Sequence, residues 1–205
     1  CRTTYEGTSE REILRLLDDL LEDSDLVVDV GANVGVISAY ASRLVGRAGH
    51  VIAIEPSPRC FADLHAVTDR LGNVTVVAAA LGNETGTVDL TGWDNPGHRG
   101  LGTIVPGHRA GLPEHWFDGE VCRVPQIRLD DLLVEQLGGE PLVGLLKVDV
   151  EGAEQMVLEG VPNIFRNRQV RSAIIEVTTT LPVDWVGELL REVERDYDAF
   201  IVGES

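Results

Sequence analysis

No apolar run in this 205-residue sequence approaches the roughly 20 residues that a membrane-spanning helix requires. Basic residues are scarce as well. The chain has 17 Lys and Arg against 34 Asp and Glu, a formal net charge of −17. Such a field repels phosphate backbones and anionic lipid, so neither nucleic acid nor a membrane surface is an expected partner. Cysteine is rarer still. Cys1, Cys60 and Cys122 are odd in number and scattered, without metal-type spacing, and fit reduced thiols in a cytoplasmic protein. A signal-peptide pattern, internal repeats and low-complexity tracts are also missing, and the cytoplasm is the expected location. Cys1 stands where Met is usual, which suggests a processed, trimmed or partial chain.

What is present is an ordinary globular balance, 43% hydrophobic and 25% charged. The length suits a single domain over residues 1–205. Residues 1–8 read as an extended entry. Ser9-Glu10-Arg11-Glu12 has the form of a capping box, and Ile13, Leu14, Leu16, Leu17, Leu20 and Leu21 follow at helical spacing. A helix is therefore predicted over about 9–22. Leu26 to Val30 is a short apolar run rich in β-branched residues, suited to a strand covered on both faces. A helix from about Val34 to Val45, a strand over His50–Ile54, a helix to about Leu71 and a strand over Val74–Ala78 follow. This alternation is the signature of βαβ units and a parallel sheet.

The alternation lapses between about 85 and 128. Thr85–Leu90 and Val121–Ile127 suit strands, but about 91–120 is rich in Gly, Pro, His and Trp and has no period. A stretch of that length inside a compact domain is expected to be a lid, a binding loop or disorder. A helix at about 129–137, a strand over Leu142–Val150, a helix at about Ala153–Leu158 and a strand over Val170–Val177 resume the pattern. A helix at about 183–195 and a strand over Ala199–Val202 follow them.

The first strand runs into Asp29-Val30-Gly31-Ala32-Asn33-Val34-Gly35. Open parallel sheets bind ligands beyond the carboxyl ends of their strands, so this turn is the expected seat of a nucleotide-like cofactor. The glycines it lacks narrow the choice. A dinucleotide fingerprint needs G-x-G-x-x-G, and here Asn33 and Val36 replace the second and third glycines. A phosphate-cradling G-x-x-x-x-G-K-[ST] loop is also absent. An acid followed by Gly31 and Gly35 suits a ligand without a pyrophosphate. S-adenosylmethionine is such a ligand, with a cationic sulfonium, an amino-acid tail and an adenosine. Asp29 is a candidate to attract the tail's ammonium, directly or through water, and Asn33 is a second candidate contact. Glu55, 26 positions beyond Asp29, suits both ribose hydroxyls as acceptor, or is an ordinary acid at a strand end. The small residues of Ala78-Ala79-Ala80-Leu81-Gly82-Asn83 leave room for an adenine ring, or simply pack tightly.

At this point the chain resembles a known family. Asp29–Gly35, Glu55-Pro56, Ala80-Leu81-Gly82 and Leu146-Lys147-Val148-Asp149-Val150-Glu151-Gly152-Ala153-Glu154 look like successive motifs of the FkbM-type S-adenosylmethionine-dependent methyltransferases. Tyr5-Glu6 and Arg128-Leu129-Asp130-Asp131-Leu132-Leu133 look like that family too. The resemblance covers about residues 5–177, and the run from Lys147 to Glu154 is its most specific part. It implies a class I methyltransferase fold, a Rossmann-like α/β architecture with a mostly parallel sheet and helices on both faces. It implies bound S-adenosylmethionine near Asp29, Gly31, Asn33, Gly35, Glu55, Pro56, Ala80, Leu81 and Asp149. It also implies O-methylation of a sugar or natural-product hydroxyl. That fold normally closes with a sixth strand and an inserted seventh. One candidate precedes Ser205, so the last strand is expected to be missing or cut off.

Methyl transfer to a hydroxyl is an in-line displacement, helped by holding the reacting atoms in line. The acceptor must also lose its proton, to a general base or through a metal. The candidate catalytic residues are Lys147, Asp149, Glu151, Glu154 and Glu176. Lys147, Asp149 and Glu151 alternate, so they share one side while the strand lasts. Lys147 is expected to pair with these acids, leaving a carboxylate to act. Asp149, Glu151, Glu154 and Glu176 would also suit Mg²⁺ or Ca²⁺ through oxygen, although acidic strand ends are ordinary, and the metal stays open. His98, His108 and His115 are further candidates for the base. Trp93 and Trp116 would stack on an acceptor ring or anchor the irregular stretch. The expected partner is a small-molecule acceptor. Two other functions stay open. One is a non-catalytic module on this fold that holds a nucleoside or a partner protein. The other is a nicotinamide-dependent oxidoreductase, which the absent second glycine disfavours.

Overall fold

The apolar runs pair in register into one parallel sheet. The computed structural model describes residues 5–6, 10–94, 102–106, 119–139, 141–176, 184, 187 and 202–203. Strand β1 (Tyr5–Glu6) and helix α1 (Glu10–Leu20) precede β2 (Leu26–Val30), α2 (Val36–Leu44), β3 (His50–Ile54), α3 (Pro58–Thr68) and β4 (Val74–Val77). Next come β5 (Ala80–Leu81), β6 (Gly86–Leu90), β7 (Cys122–Ile127), α4 (Leu129–Leu137) and β8 (Val143–Val148). Helices α5 (Glu154–Glu159) and α6 (Pro162–Arg166), then β9 (Val170–Ile175) and β10 (Val202–Gly203), complete the described elements.

The main sheet has the order β4-β3-β2-β8-β9, with every neighbouring pair parallel. The chain winds outward from β2 through β3 to β4, then resumes on the other side of β2 with β8 and β9. The order therefore reverses between β2 and β8. At such a switch point the diverging connections leave a crevice beyond the carboxyl strand ends. Alternation along the strands separates the two faces. Val27, Val51 and Leu145 pack with Leu17 of α1 and with Ile37 and Ala41 of α2. Leu64 of α3 packs on Ala53. Val28, Ile52, Leu146 and Val148 face the other way, onto Leu129 and Leu133 of α4, Val157 of α5 and Ile164 of α6. Cover on both faces explains why β2, β3 and β8 are apolar at nearly every position rather than alternating, with Asp29 and Lys147 as the buried exceptions.

Several boundaries differ from the sequence pattern for identifiable reasons. Helix α2 begins at Val36, not Val34, because Gly35 turns at φ +88 immediately before it. Strand β8 stops at Val148, ahead of a turn in which Glu151 and Gly152 both have positive φ. The break in the alternation contains a second small sheet, ordered β5-β7-β6, with β7 parallel to β5 and antiparallel to β6. Two-residue β5 and five-residue α6 are too short to leave a period in the sequence. Tyr5 and Glu6 pair in parallel with Val202 and Gly203, so part of the predicted extended entry is a strand. Most of the predicted helix over about 183–195, residues 199–201 of the last predicted strand and Ser9 of the capping box lie outside the described residues. No helix among the described residues is long and apolar enough to cross a membrane.

Candidate active site

At the end of β2 the chain turns against the end of β8. Gly31 takes φ +74, and a Cβ there would stand 1.8 Å from the Asp149 carbonyl oxygen. No other residue type fits that approach. The Gly31 and Ala32 N–H groups both donate to the Ile54 carbonyl at 3.0 Å, which ties the turn to β3. Asn33 adopts φ +51, a left-handed conformation that asparagine tolerates better than most residues. Its backbone N–H donates to Glu55 Oε2 at 2.9 Å. Its side-chain Oδ1 is buried and has no hydrogen-bond partner among the described residues.

Glu55 follows β3 and is only 7% exposed. Its Oε1 accepts the Ser57 N–H at 2.8 Å, and its Oε2 accepts the Asn33 N–H. Each oxygen keeps a further lone pair. Burial raises the pKa of this carboxyl, and the two N–H donors and the Lys147 charge offset the rise only in part. Ser57 then caps α3, accepting the Cys60 N–H at 3.4 Å.

Register places Lys147 of β8 directly beside Asp29 of β2. Lys147 Nζ lies 3.3 Å from Asp29 Oδ1 and 3.2 Å from Asp149 Oδ2, and donates to the Gly31 carbonyl at 3.1 Å. Asp29 has no exposed surface and accepts the Ser38 hydroxyl of α2 at 2.6 Å. Burial by itself works against the charged form of Lys147. Asp29 and Asp149 outweigh it, and the lysine pKa rises instead. With its charged form favoured in this way, the ammonium ties Asp29, the Gly31 carbonyl and Asp149 together.

Burial also works against the Asp149 carboxylate. The Lys147 charge and hydrogen bonds from Glu176 and Lys147 outweigh that and hold it below the usual range. Glu176, just past β9, is pushed up to about 9, first by its hydrogen bond to Asp149, then by burial and the surrounding carboxylates. Its side chain still meets solvent, so the shared proton and not depth sets its state. Asp149 and Glu176 thus hold one proton between them at neutral pH. Glu151 has φ +52, and burial followed by the charges of Asp149 and Glu154 raises its pKa to about 7. Glu154 is fully buried. Its Oε1 accepts the Gly152 N–H at 3.1 Å and the Val150 N–H at 3.3 Å, while Oε2 has no partner among the described residues.

A cleft of about 750 Å³, including its solvent-open mouth, runs between these strand ends. Gly31, Asn33, Glu55, Pro56, Ala80, Leu81, Asp149 and Glu151 line it, together with Leu90, Gly102 and Ile104. Asp29, Gly35, Lys147, Glu154 and Glu176 stand outside the lining. Asp29 lies behind the cleft as the partner of Lys147 and Ser38, out of direct reach of a ligand's ammonium. Gly35 makes room for α3, where a Cβ would meet Leu64 Cδ1 at 2.6 Å. Glu154 holds the turn after β8 from inside. Among the described residues, no group of three His, Cys, Asp or Glu side chains converges to hold a metal ion. Trp93 anchors the neck of the irregular stretch by donating Nε1 to the Glu120 carbonyl at 2.7 Å. His98, His108, His115 and Trp116 lie outside the described residues.

Sequence reasoning missed Ser38, Thr103 and the wall formed by Leu90, Gly102 and Ile104. Ser38 had a signal, as a polar residue on the buried face of α2. Thr103 had none, since its acceptor, the Glu151 carbonyl, is 48 residues away.

The strand order and the cleft at its switch point define the Rossmann-like fold of the class I methyltransferases. The chain belongs to the FkbM methyltransferase family, whose methyltransferase FkbM domain profile matches residues 29–198. It is 37% identical over 164 residues to methyltransferase sdnD of Sordaria araneosa, a match covering 69% of this chain and 62% of that protein. Hexuronic acid methyltransferase AglP of Haloferax volcanii is 29% identical over 203 residues, covering 95% of this chain and 76% of its own length. The 31-O-demethyl-FK506 methyltransferase FkbM of Streptomyces tacrolimicus is 32% identical over 187 residues, covering 77% and 66% respectively.

Proposed function

We propose that this chain binds S-adenosylmethionine in the cleft and directs its methyl group to a hydroxyl oxygen of a small molecule, a sugar or a natural product. The observation that carries the reading is Glu55. Two backbone N–H groups fix its carboxylate, leaving one free lone pair on each oxygen at the cleft wall. That arrangement suits a vicinal pair of ribose hydroxyls. The buried, unpaired Oδ1 of Asn33 fits a donor such as the ammonium of the amino-acid tail. The small side chains of Ala79 and Ala80 at the cleft wall suit a flat adenine ring. The names of two relatives refer to a hexuronic acid and to 31-O-demethyl-FK506, which supports the acceptor class.

When bound, S-adenosylmethionine supplies an electrophilic methyl on a sulfonium. The residues of the chain bind, orient and move a proton. Lys147 fixes the Gly31 carbonyl and the Asp149 carboxylate in one geometry. Asp149, held ionised beside a protonated Glu176, keeps fixed negative charge at the cleft. Glu151 lines the same cleft and titrates near neutrality, so its carboxylate is the candidate to take the acceptor's proton.

Calorimetry with S-adenosylhomocysteine tests the donor site, with micromolar affinity expected. Glu55→Gln replaces one acceptor oxygen with a donor and is expected to weaken binding about ten-fold or more. Absence of binding by the parent chain would overturn the reading. Incubation with a methyl-labelled donor and a panel of hexuronic acids and macrolide alcohols then tests the acceptor class, with label expected on oxygen.

A further inference from the structure

We propose that Thr103 is a positioning residue. It fastens the excursion between β6 and β7 to the turn after β8, and thereby sets both the outer wall of the cleft and the backbone of Glu151. Thr103 lies in the part of the chain with no sequence period, yet only 1% of it is exposed. Its backbone N–H and carbonyl exchange hydrogen bonds with those of Thr91, each at 3.0 Å. Its hydroxyl donates to the Glu151 carbonyl at 2.8 Å and accepts the Val105 N–H at 3.1 Å. Every polar group of this residue is therefore engaged, and one of them reaches the turn that carries the candidate base.

Thr103's neighbours show what the fastening achieves. Gly102 and Ile104 line the cleft, and Ile104 packs with Ala80, Leu90 and Ala153. A single short segment thus supplies an apolar wall and a polar tie. Glu151 needs such a tie. It is a non-glycine residue at φ +52, a conformation that persists only when its surroundings over-determine it. Glu154 holds the same turn from inside through the Val150 and Gly152 N–H groups, and Thr103 holds it from outside through the Glu151 carbonyl. Displacing residues 102–106 from the cleft would release Glu151 at the same time.

The functional meaning of the tie rests on the donor reading above, but the tie can be tested separately. Thr103→Val in the 205-residue chain removes the hydroxyl at nearly constant shape, and Thr103→Ser keeps it. Amide exchange followed by mass spectrometry is the primary measurement. In Thr103→Val, peptides covering 102–106 and 149–153 are expected to lose protection together, while those of β2 and β3 keep theirs. Thr103→Ser is expected to restore both. The affinity for S-adenosylhomocysteine is expected to fall about ten-fold in Thr103→Val and to return to within about two-fold in Thr103→Ser. Unchanged exchange at 149–153 in Thr103→Val overturns the proposal. So does equal loss in Thr103→Ser, because packing and not the hydroxyl would then be responsible. Thr103→Ala gives the same comparison if Thr103→Val does not fold. A parent chain that fails to bind S-adenosylhomocysteine removes the donor reading, and the exchange result still decides the tie.

Discussion

Lys147 joins three backbone segments through one ammonium: Asp29 on β2, the Gly31 carbonyl in the turn and Asp149 past β8. Lys147→Met would leave Asp29, which has no exposed surface, without its cation. Breaking a buried pair from one side costs about 3–5 kcal/mol, so a matching loss is expected in urea unfolding. Gly31→Ala is expected to be at least as harmful. Its Cβ meets a backbone oxygen that cannot yield, and φ +74 is itself strained for alanine. Expression without a cooperative thermal transition is the expected result. At this scale legibility was uneven. The pairing of Lys147 with a carboxylate follows from alternation along β8. The depth of Asp29 does not, because it depends on α2 delivering Ser38 to the same spot. The role of Glu154 was hidden for a similar reason, since the N–H groups it accepts exist as a cluster only once the turn after β8 has formed.

The β8–β9 pair brings together two acids that the strand pattern had grouped only as oxygen ligands for a cation. Asp149 and Glu176 share a proton across the ends of these strands, with Glu176 pushed up to about 9. In the unfolded chain a glutamate loses its proton near pH 4.5. Between that pH and about 9 the folded state binds the extra proton, so stability falls as pH rises through this window. Glu176→Gln keeps a hydrogen-bond donor without the titration. It is expected to flatten the pH dependence of the thermal midpoint between pH 5 and 9, which differential scanning calorimetry would show. Glu151 makes a separate kinetic prediction. A base with pKa about 7 is inactive when protonated, so kcat/KM for methyl transfer is expected to rise with pH up to about 7 and then level off. Of the elements themselves, β2, β3 and β8 were legible because strands buried on both faces are apolar at most positions, and β4 and β9 because they are short runs rich in β-branched residues. The small sheet β5-β7-β6 was only half legible. Its longer members appeared, but β5 is two residues and is defined by its partner β7.

For the molecule as a whole, a formal net charge of −17 means that acids repel one another across the surface. Added salt screens that repulsion, and the Debye length shortens to about 10 Å at 0.1 M. The thermal midpoint is expected to rise between low salt and 0.3 M sodium chloride. A flat or falling profile would show that local pairs such as Arg171 with Asp25 outweigh the global field. The overall architecture was the most legible level, because it rests on alternation summed over many residues. The front of the cleft was the least legible, because Thr91, Thr103 and Ile104 act through contacts between segments with no period of their own.

The contact between Gly31 and the end of β8 also bears on when the site comes into being. Lys147 and Gly31 are 116 residues apart, and contacts of that separation close slowly. A nascent chain emerging from the ribosome as far as β4 already carries Gly31, Asn33 and Glu55. It lacks the strand that must dock on β2 to give the turn its shape. On the donor reading, affinity is therefore expected to arise at one step, when β8 inserts beside β2, and a chain made only as far as β4 is not expected to hold the methyl donor.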